Sequence, residues 1–284
     1  MKLKYILTTP CLAIAGALLL QTSAQATLPY NNGDLILGFR TTGASNPDGL
    51  TNPTGTDYEI NLGNATAFLN GTGTISFPNI GLDLTAIFGA NWNTRADLFW
   101  SISGVVQPTV GSLPNNTLFA TRPETDIGVQ SLPWARLSSF ASGAPANKMV
   151  SMAGASFGYS AGTSATLNQL ESTNTLGGLI QNAGAGASYA SFQPGGANTT
   201  GATAFGVFSG GIEGNFGAGT AGSALDLYEL TPGTGNGAFL GSFHMNDSGT
   251  ASFSAGVVPE PTSLAILGAG AGLLGLLRRR QTRA

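Results

Sequence analysis

The chain has 284 residues, 42 of them glycine and only 9% charged, with a formal net charge of −3. Residues 27–258 hold five basic against thirteen acidic side chains, net −8, which excludes an ordinary nucleic-acid-binding surface. One cysteine (Cys11) and one histidine (His244) leave no disulfide framework and no multi-histidine zinc site, and no metal or cofactor is expected.

Lys2 and Lys4 precede an apolar stretch at 12–20, and Ala24-Gln25-Ala26 offers a small-x-small cleavage site before Thr27. This is the pattern of a secretory signal peptide, residues 1–26, used by the Sec machinery and cut by signal peptidase beside Ala24 and Ala26. Cys11 comes before the apolar stretch rather than after it, so it is not a lipobox cysteine.

Residues 27–256 then read as one β-rich exported domain. Alternation places Leu35, Leu37 and Phe39 on one strand face, and Tyr58, Ile60 and Leu62 on another with Glu59 and Asn61 pointing away. Leu98, Trp100 and Ile102 repeat the pattern against Asp97, Ser101 and Ser103. Short helices are expected at 64–69 and 82–88, and a longer one at 164–181, interrupted at Gly177-Gly178. The glycine-rich stretch 184–222 spaces Tyr189, Phe192, Phe205, Phe208 and Phe216 among small residues, as short strands or an insertion. From Ala224 the chain reads as a meander: ALDLYEL, a turn at 231–237, AFLGSFHM with Phe239, Phe243 and Met245 facing one way, a tight turn at 246–249, and TASFSA. No repeat of fixed period is present. The fold class is mainly β: an antiparallel β-sandwich-like or meander domain with a few short helices.

Chemical motifs are few. Gly158-Tyr159-Ser160-Ala161-Gly162 matches the G-x-S-x-G nucleophile elbow, and Ser160, Asp226 and His244 follow hydrolase order. The flanks lack the strand-to-helix alternation that the elbow requires, and Gly154-Ala155-Ser156-Phe157-Gly158 is a second, overlapping match of the kind this composition produces by chance. Asp247-Ser248-Gly249 reads as a hairpin turn rather than a protease tripeptide. Asp34, Asp48 and Asp57 fall in no calcium-loop spacing. Trp92 and Trp134, set among Asn, Arg and Pro in expected loops, are the candidate glycan contacts. No catalytic residue is assigned, and an enzyme is not expected.

The last segment, 257–284, is the most specific. Pro259-Glu260-Pro261 leads into an apolar run at 262–277 that stops at Arg278, Arg279 and Arg280, with Arg283 close behind. Sixteen helical residues give roughly 24 Å against a hydrocarbon core of about 30 Å, so the run crosses only with help. Extended arginine side chains at 278–283 supply part of the shortfall and hold that end in the cytoplasm. This order resembles the PEP-CTERM sorting tail of exported bacterial proteins. The resemblance implies that an exosortase-like membrane enzyme reads Pro259, Glu260 and Pro261 and removes the tail. The segment 77–104, with the opening GDLILGFRTT and closing FLGSFHMNDSGTASF, also resembles a body type of PEP-CTERM proteins of unassigned function. The expected protein is membrane-tethered by its C-terminus, then processed to the cell surface or extracellular matrix with a structural or adhesive role, in contact with extracellular polysaccharide. The alternative is a secreted carbohydrate-binding module or carbohydrate-active enzyme.

Overall fold

The computed structural model describes residues 30–42, 56–69, 73–158, 178–182, 188–193, 208 and 211–256. Within them lie ten strands: β1 (Asp34–Thr41), β2 (Thr56–Asn64), β3 (Thr74–Phe77), β4 (Leu98–Val106), β5 (Thr117–Pro123), β6 (Gly178–Asn182), β7 (Gly214–Asn215), β8 (Ala224–Leu230), β9 (Ala238–Met245) and β10 (Ala251–Ala255). Three α-helices accompany them: α1 (Thr66–Leu69), α2 (Ile80–Phe88) and α3 (Ser139–Gly158). All strands join one sheet in the order β3-β10-β9-β8-β5-β4-β1-β2-β6, with β7 added against β4. Every pairing is antiparallel, as the short connections demand for the β8–β9 and β9–β10 hairpins. The class is mainly β, and β8, β9 and β10 form the meander read from the sequence.

One apolar core draws on strands far apart in that order. Leu37, Tyr58 and Trp100 from β1, β2 and β4 share it with Phe243 and Phe253 from β9 and β10. Six strand spacings separate β10 from β2, about 29 Å in a flat sheet. The sheet therefore curls so that one face closes on itself, as its inherent twist allows. Phe68 of α1, following β2, fills the fold: its ring meets Phe243 at 5.7 Å and Phe253 at 5.0 Å. At the other seam Phe39, Trp100 and Phe216 stack at 6.3, 6.5 and 5.8 Å.

The opposite face is also covered. Ile36, Val105, Leu118, Ala120, Tyr228 and Leu230 pack beneath Ala146, Met149 and Met152 of α3, together with Tyr189, Phe208 and Ile212. The side chains read as pointing away from the core are thus buried too: Glu59 is 1% exposed and Ser101 and Ser103 are fully buried. Alternation identified the two faces correctly but not what lies over the second one.

Three further expectations change. The 139–158 helix was not foreseen, because Gly143, Pro145 and four serines lower its propensity. Packing of its small and methionine side chains on the sheet outweighs that deficit. The end of the helix expected at 164–181 is instead strand β6, whose Leu179 and Ile180 pair with Glu59 and Tyr58; residues 164–177 lie outside the described set. In β9, a bulge places Leu227 opposite Gly241 and Tyr228 opposite Phe239, skipping Leu240. The extra residue reverses the facing of everything before it. Phe239 therefore leaves the Phe243 face and contacts the Tyr228 ring at 5.7 Å, while Leu240 joins the first core.

The antiparallel register gives the sheet two distinct ends. At one, β1 begins, β8 finishes, β9 begins and β10 runs out to Gly256, beside the 107–116 and 231–237 turns. This is the tail end, since residue 257 onward leaves from it. The far end carries α2, Trp92–Thr94, the 124–128 bend and the 246–250 turn.

Candidate functional site

A buried polar cluster sits on the second sheet face. Arg40 at the end of β1 donates from Nε and Nη2 to the two carboxylate oxygens of Glu213 at 2.8 and 2.7 Å. The Tyr189 hydroxyl donates to the same carboxylate at 2.8 Å and lies 2.6 Å from the Ser101 hydroxyl. Glu59 accepts from the Tyr189 backbone N–H at 2.9 Å, and Asp57 from that of Ala190 at 2.7 Å. Gly38 makes room for this: a Cβ there would lie 2.5 Å from the Tyr189 ring. β1, β2 and β4 thus present the groups, and the glycine-rich connection supplies Tyr189, Ala190 and Glu213 to meet them.

Electrostatics explain the pairing. Burial works to lower the Arg40 pKa, but the hydrogen bonds and charge of Glu213 outweigh it and raise the value. Burial pushes the Asp57 carboxyl well above its usual range, and the Glu59 charge adds to that, against the Ala190 hydrogen bond. Burial and the neighbouring Glu213 likewise raise the Tyr189 phenol, so it remains a donor. Arg40, Glu213 and Tyr189 were not singled out from the sequence. The available signal was Arg40 itself, an unshielded cation inside an apolar strand, which requires a buried acid somewhere.

A second cluster lies between β5 and β8. Asp226, fully buried, accepts the Ser131 backbone N–H on one oxygen and the Ser242 hydroxyl, 2.6 Å away, on the other. Glu124 accepts from the Gly128 N–H, and burial, then the nearby Asp226, raise its pKa. Asp226 is therefore engaged in fastening the 124–131 bend. His244 stands in β9 opposite Ser252 and Ala224. Ser160 lies outside the described residues, as do Asp48, Ala24, Ala26, Pro259, Glu260, Pro261, Arg278, Arg279, Arg280 and Arg283. Asp34 is buried and accepts from the Asn31 N–H and the Asn61 amide at 2.8 and 2.9 Å. The Asp247-Ser248-Gly249 turn is as read: the Asn246 side chain accepts from Ser248 and Thr250 N–H groups at 3.1 and 2.9 Å.

Of the two candidate glycan contacts, one is inside and the other half-buried. Trp92 opens a 3-10 turn, is 3% exposed and meets the Phe216 ring edge-on at 5.1 Å. It has no ring face to offer a sugar. Trp134 is half-buried; its indole N–H donates to the Thr121 carbonyl at 2.9 Å, Arg122 lies over its ring at 4.6 Å and Phe208 meets it at 5.2 Å. Apolar partners and a cation already occupy its surfaces.

Residues 257–281 match the profile of the PEP-CTERM protein-sorting motif. The chain carries a PEP-CTERM sorting signal. Comparison with curated proteins and with solved structures returned no match. The PEP-CTERM motif implies export, anchoring in the membrane through the C-terminal segment before processing, and exosortase as the processing partner. Among the described residues no helix is long and apolar enough to cross a membrane; the PEP-CTERM segment lies outside them.

Proposed function

We propose that the body is a non-enzymatic structural or adhesive component of the cell surface or extracellular matrix, delivered there by its PEP-CTERM signal and bound to extracellular polysaccharide. One observation supports the reading: six of the ionisable groups are spent inward, on fastening loops to the sheet. Arg40 and Glu213 hold each other, Asp57 and Glu59 hold the 188–193 backbone, and Asp226 and Glu124 hold the 124–131 bend. Such a body is a rigid, weakly charged spacer. The test is intact mass of the native protein from membrane, surface and medium fractions, with co-sedimentation on the producing cells' own polysaccharide. The reading expects a released form beginning near Thr27, lacking everything beyond 259–261 and retained by polysaccharide. A chain that keeps 278–284 in the membrane, or a released chain indifferent to polysaccharide, overturns it.

A further inference from the structure

Phe140, in the first turn of α3, is 96% exposed, the most exposed large apolar side chain among the described residues. Its location is specific. The Gly233 N–H donates to the Leu137 carbonyl at 2.7 Å, and the Arg136 N–H donates to the Gly235 carbonyl at 2.8 Å, which pins residues 134–137 to the 231–237 turn. That turn joins β8 to β9 at the tail end of the sheet. β10 lies beside β9, and the Gly256 N–H donates to the Leu240 carbonyl at 2.8 Å. Phe140 follows Leu137 by three residues, so it lies within about 11 Å of it.

The way to the membrane from there is short. Five residues, 257–261, separate Gly256 from the apolar run at 262. Fully extended they span at most about 18 Å. A tethered body therefore holds its tail end close to the bilayer. The charges agree with that orientation. The exposed acids Asp126 and Asp247 are at the far end, as is Asp97, paired with Arg95. The tail end instead presents uncharged Asn32, Gln107, Asn116 and Asn147, with the cation Arg136 held against the 231–237 turn. Among the described residues its acids are Asp34, which is buried, and Glu229, which is half-buried and whose pKa burial raises. An anionic surface repels the far end and tolerates the tail end.

We propose that, while the tail anchors the chain, the tail end of the sheet rests on the outer leaflet of the membrane with Phe140 inserted among the lipids. This rests on the anchoring that the sorting signal implies. The test uses the full chain, tail included, in vesicles of phosphatidylethanolamine and phosphatidylglycerol with brominated acyl chains. Phe140→Trp places a reporter at the tail end, and Leu82→Trp places one at the far end, where Leu82 is 62% exposed. Wild type gives the background of the native tryptophans. The expected result is co-sedimentation of both variants, with the reporter at 140 blue-shifted and quenched at least threefold more than the one at 82. Equal quenching at the two positions in co-sedimenting protein overturns the proposal and leaves anchoring intact. Self-association lost on Phe140→Asp would assign the ring to a second copy and also overturn it. Failure to co-sediment would overturn the anchoring and the proposal together.

Discussion

Removing Glu213 while leaving Arg40 is the sharpest perturbation available. In Glu213→Ala, a guanidinium whose side chain is 8% exposed loses both carboxylate oxygens, and the Tyr189 hydroxyl loses an acceptor. Breaking a buried pair from one side costs about 3–5 kcal/mol, because the remaining charge loses its paired carboxylate without gaining water in exchange. For a body of this size that is a fall in Tm of roughly 6–20 °C. Arg40→Met combined with Glu213→Met removes both charges and keeps apolar volume, so it should recover most of the loss. Urea unfolding of the full chain in mild detergent, followed by far-UV circular dichroism, measures both variants and the two single methionine changes for a coupling energy. If Glu213→Ala costs under about 1 kcal/mol, or the double variant is as damaged as the singles summed, the pair is not the buried fastening described.

Asp57 makes a prediction about pH. Its folded pKa is raised, so between the ordinary carboxylate range and that value the folded chain binds more protons than the unfolded one, and its contribution to stability falls as pH rises. Asp57→Asn keeps an acceptor for the Ala190 N–H and should be more stable than wild type at pH 7, the two curves converging toward pH 4; parallel curves would contradict the assignment. Gly81→Ala puts a methyl group against the Ser248 carbonyl in the far-end turn and should cost about 1–3 kcal/mol in the same urea assay. Replacing Pro259 and Glu260 together by alanine should leave the full-length chain in the membrane, read as persistence of the 278–284 peptide by mass spectrometry; normal release would contradict recognition at Pro-Glu-Pro.

The parts of the fold that were legible in the sequence are those where local pattern and tertiary role coincide. Period-two alternation in β1, β2 and β4 marks the enclosed core directly, and the Asn-Asp-Ser-Gly turn marks the β9–β10 hairpin. What escaped depends on residues distant in the chain. Glu59 and Ser101 look like solvent-facing positions until Tyr189, from far along the chain, covers them. The β9 bulge has no composition signature beyond Gly241, yet it reverses Phe239. Glu213 is one acid among thirteen in the body, and only the fold brings it 173 positions back to Arg40. Trp92 shows the converse: its polar sequence neighbours suggest exposure, while the 3-10 turn rolls the indole under Phe216. The sorting signal was readable because it acts as a linear segment, with Pro-Glu-Pro, apolar length and arginines all adjacent in the chain.

The pairing of β10 with β3 bears on the order of events during export. β3 begins at residue 74 and waits for a partner that begins at residue 251, and Phe253 on that partner completes the aromatic cluster around Phe68. A chain threaded across the membrane from its N-terminus cannot finish its sheet until nearly the last body residue has emerged. By then the sorting signal, which begins at residue 257, is at the membrane surface. Completion of the fold and arrival of the cleavage signal are thereby made almost simultaneous. A cut upstream of residue 251 would release a chain with β3 unpaired, one edge of β9 open beside its β8 pairing, and an aromatic seam exposed to water, a template for aggregation.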